Sequence, residues 1–573
     1  MAFSQNSTNE LVVTQEIIQM IEKKITESLP KPAYKELQRT EMWTPLSDGV
    51  KLASTIIMPK GEGPWPVILT RSPYGVDNEA SVLIGRYFAE QGYAYVFNRV
   101  RGTWKSEGEF DPFVNEREDG RELVDWISRQ PWCNGNIGTY GGSYLGHVQW
   151  CIADYKHPAL KTMFIQNYGI HPYHLFYRNG MFRQEVWTEW ACQMMEDNKS
   201  ADESYQKEQV RLGYEIFPQI DLGKRLKGKD CKWYNEWITN TSEADPYWAA
   251  GFWKELQNTL ENIDYPIMLQ GGFFDVFFSA QIDSWRALPA QTRSKSRFVI
   301  GPWQHAGMPS GDLDYPGEEI LGTLQIAGAV EWFDYQLKGK PYPHQMGVME
   351  TYSIGDNCWK IWKDDMSTAG EQIFYLAEGN TMSAKPQNNG EVHYEYDPAH
   401  PTASISYGLS KGSCYCPKAG TREGTVSFVS APLEKNIYLA GKIQAELYVR
   451  SSAPATAFSI IAMEEFEDGS TVWIAEDIAD IRWSGEDGLV AYEPGSTKKL
   501  LIHMQDMNWM LKKGSRLRVD IASSSYPMFH VHPNTTENWA YCVNRPIAHQ
   551  TICFGEDNPS RLILPINPGE CNK

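Results

Sequence analysis

The sequence predicts an α/β fold: a mostly parallel sheet with helices on both faces, interrupted by a helical insert and followed by an all-β domain. Three observations predict it. Short apolar runs alternate with helical patterns from about residue 42 to 345. A stretch rich in helix formers and tryptophan divides that alternation, and beyond 345 the hydrophobic period becomes two. Strands alternating with helices pack as a parallel sheet between helical layers, whereas a period of two marks strands with one covered face.

Taken in order, residues 1–40 carry Ile17, Ile21, Ile25 and Leu29 at steps of four, one apolar stripe of an amphipathic N-terminal helix that packs on the body or mediates dimerisation. Asp48-Gly49 makes a turn between β-prone runs, and 66–70 and 94–97 read as buried strands. A helix is predicted over 116–130, then a short strand over 136–140 running into glycines. Strands resume at 160–166, 266–269 and 297–300. These place a catalytic domain over 41–169 and 263–345. The insert, 170–262, holds Trp187, Trp190, Trp233, Trp237, Trp248 and Trp253, and on such a sheet it would form a cap. Runs such as 444–450 and 516–521 predict a C-terminal sandwich or jelly-roll domain over 346–573.

Bulk composition narrows the function. A chain of 573 residues exceeds the roughly 250–300 that one core supports, so several domains are expected. Its 53 basic and 72 acidic residues, net −19, would repel phosphate backbones and anionic lipid, so neither nucleic acid nor membrane is an expected partner. No basic-then-apolar leader opens the sequence, and no run reaches the ~20 apolar residues of a membrane span, which makes a cytoplasmic protein the expectation. The ten cysteines, with Cys414 and Cys416 the only close pair, read as mostly reduced structural thiols.

The chemistry concentrates in Tyr140-Gly-Gly-Ser-Tyr-Leu-Gly-His147, where a strand meets small residues around a serine and then helix-compatible sequence. This is the pattern of a nucleophile elbow, with Ser143 as nucleophile and glycines where neighbouring chains must approach. The last glycine, Gly146, comes one position later than in G-x-S-x-G. A serine hydroxyl needs a base, and on an α/β-hydrolase sheet the acid and the histidine follow the serine in that order. Asp275 follows the strand beginning at Pro266, and His305 follows the strand beginning at Arg297. His147, four residues beyond Ser143 on the same helix, would point away from the exposed hydroxyl and is not the expected base. No His-Glu-x-x-His or comparable cluster appears, so neither a metal nor another cofactor is expected.

These residues, with Arg71-Ser-Pro-Tyr-Gly75, Arg101-Gly-Thr-Trp-Lys-Ser-Glu-Gly108, Gln130-Pro-Trp132, Gly272-Phe-Phe-Asp275, Gly301-Pro-Trp-Gln-His305, Trp332-Phe-Asp334 and Lys513-Gly-Ser-Arg-Leu-Arg518, resemble the family of cocaine esterase, glutaryl-cephalosporin acylase, α-amino acid ester hydrolase and Xaa-Pro dipeptidyl-peptidase. The resemblance runs from about residue 42 to the end. It implies an α/β-hydrolase fold with an inserted helical cap and a C-terminal all-β jelly-roll domain. It also implies an oxyanion hole made by the Tyr74 hydroxyl and the Tyr144 backbone N–H. Where amino acid ester hydrolases carry carboxylates, two and three positions after the acid, this chain has Phe277 and Phe278, and it has Arg99 where the family often has an acidic residue.

The expected activity is therefore a serine hydrolase cleaving an ester or amide bond of a small molecule through an acyl-enzyme. The alternatives are an Xaa-Pro dipeptidyl-peptidase and a catalytically silent ligand-binding protein. Phe274, Phe277, Phe278 and Trp303, beside Phe273, either line an acyl pocket or pack beneath it, and Trp190 is the cap residue assigned to substrate binding. The homo-oligomeric state is left open.

Overall fold

The computed structural model describes residues 27–74, 79–195, 203–318, 326–366, 368–405, 412–485 and 488–571. Ile17, Ile21 and Ile25 lie outside these residues, while Leu29 packs on the catalytic domain. Along that domain run β1 (Leu37–Pro45), β2 (Lys51–Pro59), β3 (Trp65–Ser72), α1 (Glu79–Glu90), β4 (Ala94–Arg99), α2 (Glu116–Ser128), β5 (Cys133–Gly142), α3 (Tyr144–Trp150) and β6 (Leu160–Gln166). The cap follows with α4 (Pro172–Phe176), the hairpin β7 (Tyr177–Arg178) and β8 (Met181–Phe182), α5 (Gln184–Met194), α6 (Glu203–Glu215), α7 (Leu222–Lys227), α8 (Lys232–Thr239), α9 (Pro246–Ala249) and α10 (Gly251–Asn258). The chain then returns through β9 (Ile267–Gly272), α11 (Phe278–Ala287), α12 (Ala290–Arg293), β10 (Arg297–Gly301), α13 (Ile326–Lys338), β11 (Val348–Ser353) and β12 (Cys358–Lys363).

The strand order is β1-β2-β4-β3-β5-β6-β9-β10-β11-β12, parallel from β4 to β11 with antiparallel pairs at both edges. Strands β4 and β9 are buried throughout, which is why they read as continuous apolar runs rather than alternating ones. Successive side chains nevertheless serve different faces. Val67 and Leu69 join the core beneath α2 and α3, while Ile68 between them joins the core formed with Phe88 of α1 and Trp332 and Phe333 of α13.

Two boundaries differ from the expectation. The sheet takes in residues 37–40 as the start of β1, and it continues past 345 through β11 and β12. An antiparallel edge strand such as β12 has the same alternating burial in either domain, so periodicity alone does not assign it. Beyond it, an 11-stranded sheet spans Gly370 to Ile566.

This C-terminal sheet is fastened to the catalytic domain by Arg286 of α11, which pairs with the fully buried Asp506 at 2.7 Å and with Asp365 at 2.7 Å. A disulfide joins Cys358 to Cys571, 213 residues apart, and the other eight cysteines are free thiols. No helix among the described residues is long and apolar enough to cross a membrane.

Candidate active site

Parallel strands end on one edge of the sheet, and the loops leaving those ends carry the chemistry. Tyr74 follows β3, Ser143 follows β5, Asp275 follows β9 and His305 follows β10. Ser143 sits between β5 and α3 at φ 57°, ψ −130°, a strained conformation for a residue with a side chain. Gly141 relieves the crowding there: a Cβ on it would lie 2.5 Å from Leu145 Cβ. The late glycine of the motif also finds its reason, since a Cβ on Gly146 would meet Tyr168 Cβ at 2.9 Å. The close approach falls one position after the usual place.

His305 Nδ1 lies 2.5 Å from Asp275 Oδ2, and Oδ1 of the same carboxylate accepts the Phe277 N–H at 2.7 Å. The loops bearing Ser143 and His305 are tied together at the end of β6. Ser143 N donates to Gln166 O at 3.1 Å, and the next side chain, Asn167, donates through Nδ2 to His305 O at 2.6 Å. Asn167 stands at φ 47°, a left-handed conformation that asparagine tolerates better than most residues. His147 is fully buried beneath the elbow with Nε2 3.2 Å from Cys151 Sγ, and burial pushes its pKa down to about 3.

The Tyr74 hydroxyl accepts a hydrogen bond from Trp190 Nε1 at 3.2 Å and stands near Ser143. Burial raises its pKa, so the phenol stays protonated and able to donate. Tyr144 opens α3, where the first backbone N–H groups have no intrahelical acceptor. Its own hydroxyl donates to Glu116 Oε1 at 2.8 Å and accepts from Phe113 N at 2.9 Å, and Glu116 pairs with Arg71 at 2.8 Å. Both members of that ion pair are nearly inaccessible, and burial raises the Glu116 pKa against the pull of Arg71. The chain Arg71–Glu116–Tyr144 thus braces the elbow against the loop that carries Tyr74.

The five assigned aromatic residues part company. The Phe277 ring stands 5.3 Å from the His305 ring and 5.1 Å from Tyr168, and the Arg183 guanidinium lies 5.7 Å from its centroid. Trp190 stacks on Tyr144 at 6.0 Å. Phe274 faces Trp473 of the C-terminal sheet at 6.0 Å and Tyr315 at 6.3 Å. Phe274 and Phe277 are themselves buried, and Phe278 and Trp303 are more so, at 1% exposure each. Helical phase at the start of α11 turns Phe278 onto Phe273, and Trp303 fills the space that Gly272 and Gly301 leave open.

Glu116, Asn167 and Arg183 were not foreseen from sequence. Arg183, buried at the start of α5, donates to Leu175 O at 3.1 Å and to Val276 O, and burial pushes its pKa down to about 9. It ties the cap to the loop that holds Asp275. The groups of His, Cys, Asp and Glu among the described residues that could hold a metal, His171/His174/Glu243 and Asp356/Cys358/Cys571, include none of the triad residues, and both cysteines of the second are in the disulfide.

Residues 48–307 match the family model for X-Pro dipeptidyl-peptidase (S15 family), and residues 340–563 match the model for the X-Pro dipeptidyl-peptidase C-terminal non-catalytic domain. The chain belongs to this family. As an S15-family member it is a serine hydrolase with an α/β-hydrolase fold. It is 25% identical to cocaine esterase of Rhodococcus sp. (strain MB1 Bresler) over 583 residues, covering 92% of this chain and 98% of that one. Among solved structures it is similar in fold to an aminopeptidase from the marine sediment archaeon Thaumarchaeota archaeon (TM-score 0.80, 19% identity, 99% and 100% of the two chains). A similar likeness holds for an α-amino acid ester hydrolase (TM-score 0.78, 21% identity, 94% and 98%).

Proposed function

We propose that this hydrolase cleaves the ester or amide bond of a small molecule, with an apolar acyl group, through an acyl-enzyme on Ser143. The observation that carries the reading is the Asp275–His305 pair at 2.5 Å. With Nδ1 committed to Asp275, His305 has Nε2 left to take the serine proton as Oγ attacks the carbonyl carbon. The oxygen that becomes negative would be met by the Tyr74 O–H and the Tyr144 N–H. His305 then returns the proton to the leaving alcohol or amine, and water attacks the acyl-enzyme by the same route.

An apolar acyl group is favoured over the α-ammonium end of a peptide by the residues around the acid. Phe277 stands where amino acid ester hydrolases carry a carboxylate, and the cation Arg183 beside its ring would repel an ammonium. The length over which the chain resembles cocaine esterase points the same way. Xaa-Pro dipeptidyl-peptidase activity is the second reading, supported by the family model itself.

The net charge of −19 argues against nucleic acid and anionic lipid as partners, and the C-terminal sheet is read as a jelly roll. Eight free thiols favour a cytoplasmic location, and the Cys358–Cys571 disulfide counts against it.

The test is hydrolysis of p-nitrophenyl acyl esters against Ala-Pro and Gly-Pro p-nitroanilides by the native chain and Ser143→Ala. Ester turnover lost in the variant is the expected result. Dominant Xaa-Pro cleavage would replace this reading with the second, and no labelling of Ser143 by a fluorophosphonate would remove Ser143 as nucleophile.

A further inference from the structure

Away from the triad, the cap brings together two imidazoles and a carboxylate that the hydrolytic chemistry does not use. His171 precedes α4 and His174 lies within it, three residues on, so the turn places the two rings one above the other. Their centroids are 3.6 Å apart and the planes 10° from parallel. His171 Nδ1 accepts the His174 N–H at 3.3 Å, which leaves the proton of the neutral ring on Nε2, so ligation through His171 requires this bond to be given up. Glu243, on the turn between α8 and α9, brings Oε2 to 3.8 Å from His174 Nε2. One donor atom from each of the three residues lies within 4.8 Å of the others. A cavity of about 180 Å³, bordered by Pro172, Tyr173, Glu243, Trp248 and Lys254, opens beside them.

We infer that His171, His174 and Glu243 form a binding site for a first-row divalent transition ion of the zinc type. Two imidazole nitrogens and one carboxylate oxygen match that class and not calcium or magnesium, which prefer all-oxygen shells. Rotation of one ring out of the stack is the movement that closes both nitrogens on one ion.

Charged groups of both signs surround the site. Arg178 and Lys442 act on both rings in the same direction, Asp283 opposes them at His171, and Lys254 faces Glu243. These cations repel a bound divalent ion whatever its donors, so the two imidazoles and Glu243 must supply affinity against them. The bound ion would clamp the entry of the cap, just after β6, to the turn between α8 and α9.

The full chain, stripped with a chelator, is titrated calorimetrically with Zn²⁺ and in parallel with Co²⁺, whose visible spectrum reports nitrogen ligation. The expected result is one equivalent bound and a melting temperature raised by zinc. Affinity should fall at least tenfold in His171→Ala/His174→Ala, with a smaller loss in Glu243→Gln. His174 is partly exposed, so His174→Gln serves as a folded variant if the double substitution is unstable. No stoichiometric binding by the native chain, or equal binding by either histidine variant, would overturn the site.

Discussion

The Asp275 carboxylate is held at both oxygens: Oδ2 faces His305 Nδ1 at 2.5 Å, and Oδ1 accepts the Phe277 backbone N–H at 2.7 Å. The acid is therefore fixed by its own loop before it orients the imidazole. Asp275→Asn presents an amide N–H₂ to Nδ1 or loses the Phe277 bond, and either favours the wrong tautomer. We expect kcat on a p-nitrophenyl ester to fall about 10⁴-fold with the fold retained. Steady-state kinetics with circular dichroism check this, and a loss below tenfold would deny Asp275 the orienting role.

Trp190 belongs to the cap, yet its indole N–H is spent on the Tyr74 hydroxyl at 3.2 Å. By occupying a lone pair it leaves the Tyr74 proton to point at the reacting oxygen. Tyr74→Phe is expected to lower kcat about 10²–10³-fold. Trp190→Phe, which removes one neutral hydrogen bond, should cost up to about tenfold. Because Trp190 acts through Tyr74, the double variant should be no slower than Tyr74→Phe. Additive losses would show that the indole works by another route.

Phe277 is the assigned aromatic residue whose ring lies against the catalytic imidazole, 5.3 Å away. If it also walls the acyl pocket, Phe277→Ala should lower kcat/KM for a benzoyl ester by about 10–100-fold more than for an acetyl ester, the scale of burying an aromatic side chain. Equal losses on the two esters would mean that the ring serves only to support His305.

Glu476 of the C-terminal sheet is buried, its Oε1 has no partner among the described residues, and burial pushes its pKa from 4.5 up to about 7. Between those values the folded chain keeps a proton that the unfolded chain has released. Stability from this group is therefore complete below pH 4.5 and is lost as the pH rises through 7. Glu476→Gln keeps the neutral shape, so it should match the native melting temperature at acid pH and exceed it at pH 8, by up to about 3 kcal/mol of stability. Identical pH profiles for the two proteins would refute this.

The placement of Ser143, Asp275 and His305 was legible because each follows its own strand, and strands buried on both faces announce themselves as unbroken apolar runs. The supporting residues left no such signal. Glu116 braces Tyr144 from 28 positions away, Trp190 reaches Tyr74 across 116, and Asn167 looks from sequence like any residue after a strand. Likewise, Phe278 and Trp303 are as apolar as Phe277, and only helical phase and the gaps at Gly272 and Gly301 turn them into the core.

By itself, the sequence determined the α/β class and the strand-end loops that carry Ser143, Asp275 and His305, because hydrophobic period and strand-end position are local properties. Tertiary structure alone decided which partners brace them, where the first sheet ends at β12, and that Cys358 meets Cys571. Those contacts depend on how distant segments cross in space, and a burial pattern along the chain carries no information about which neighbour does the burying.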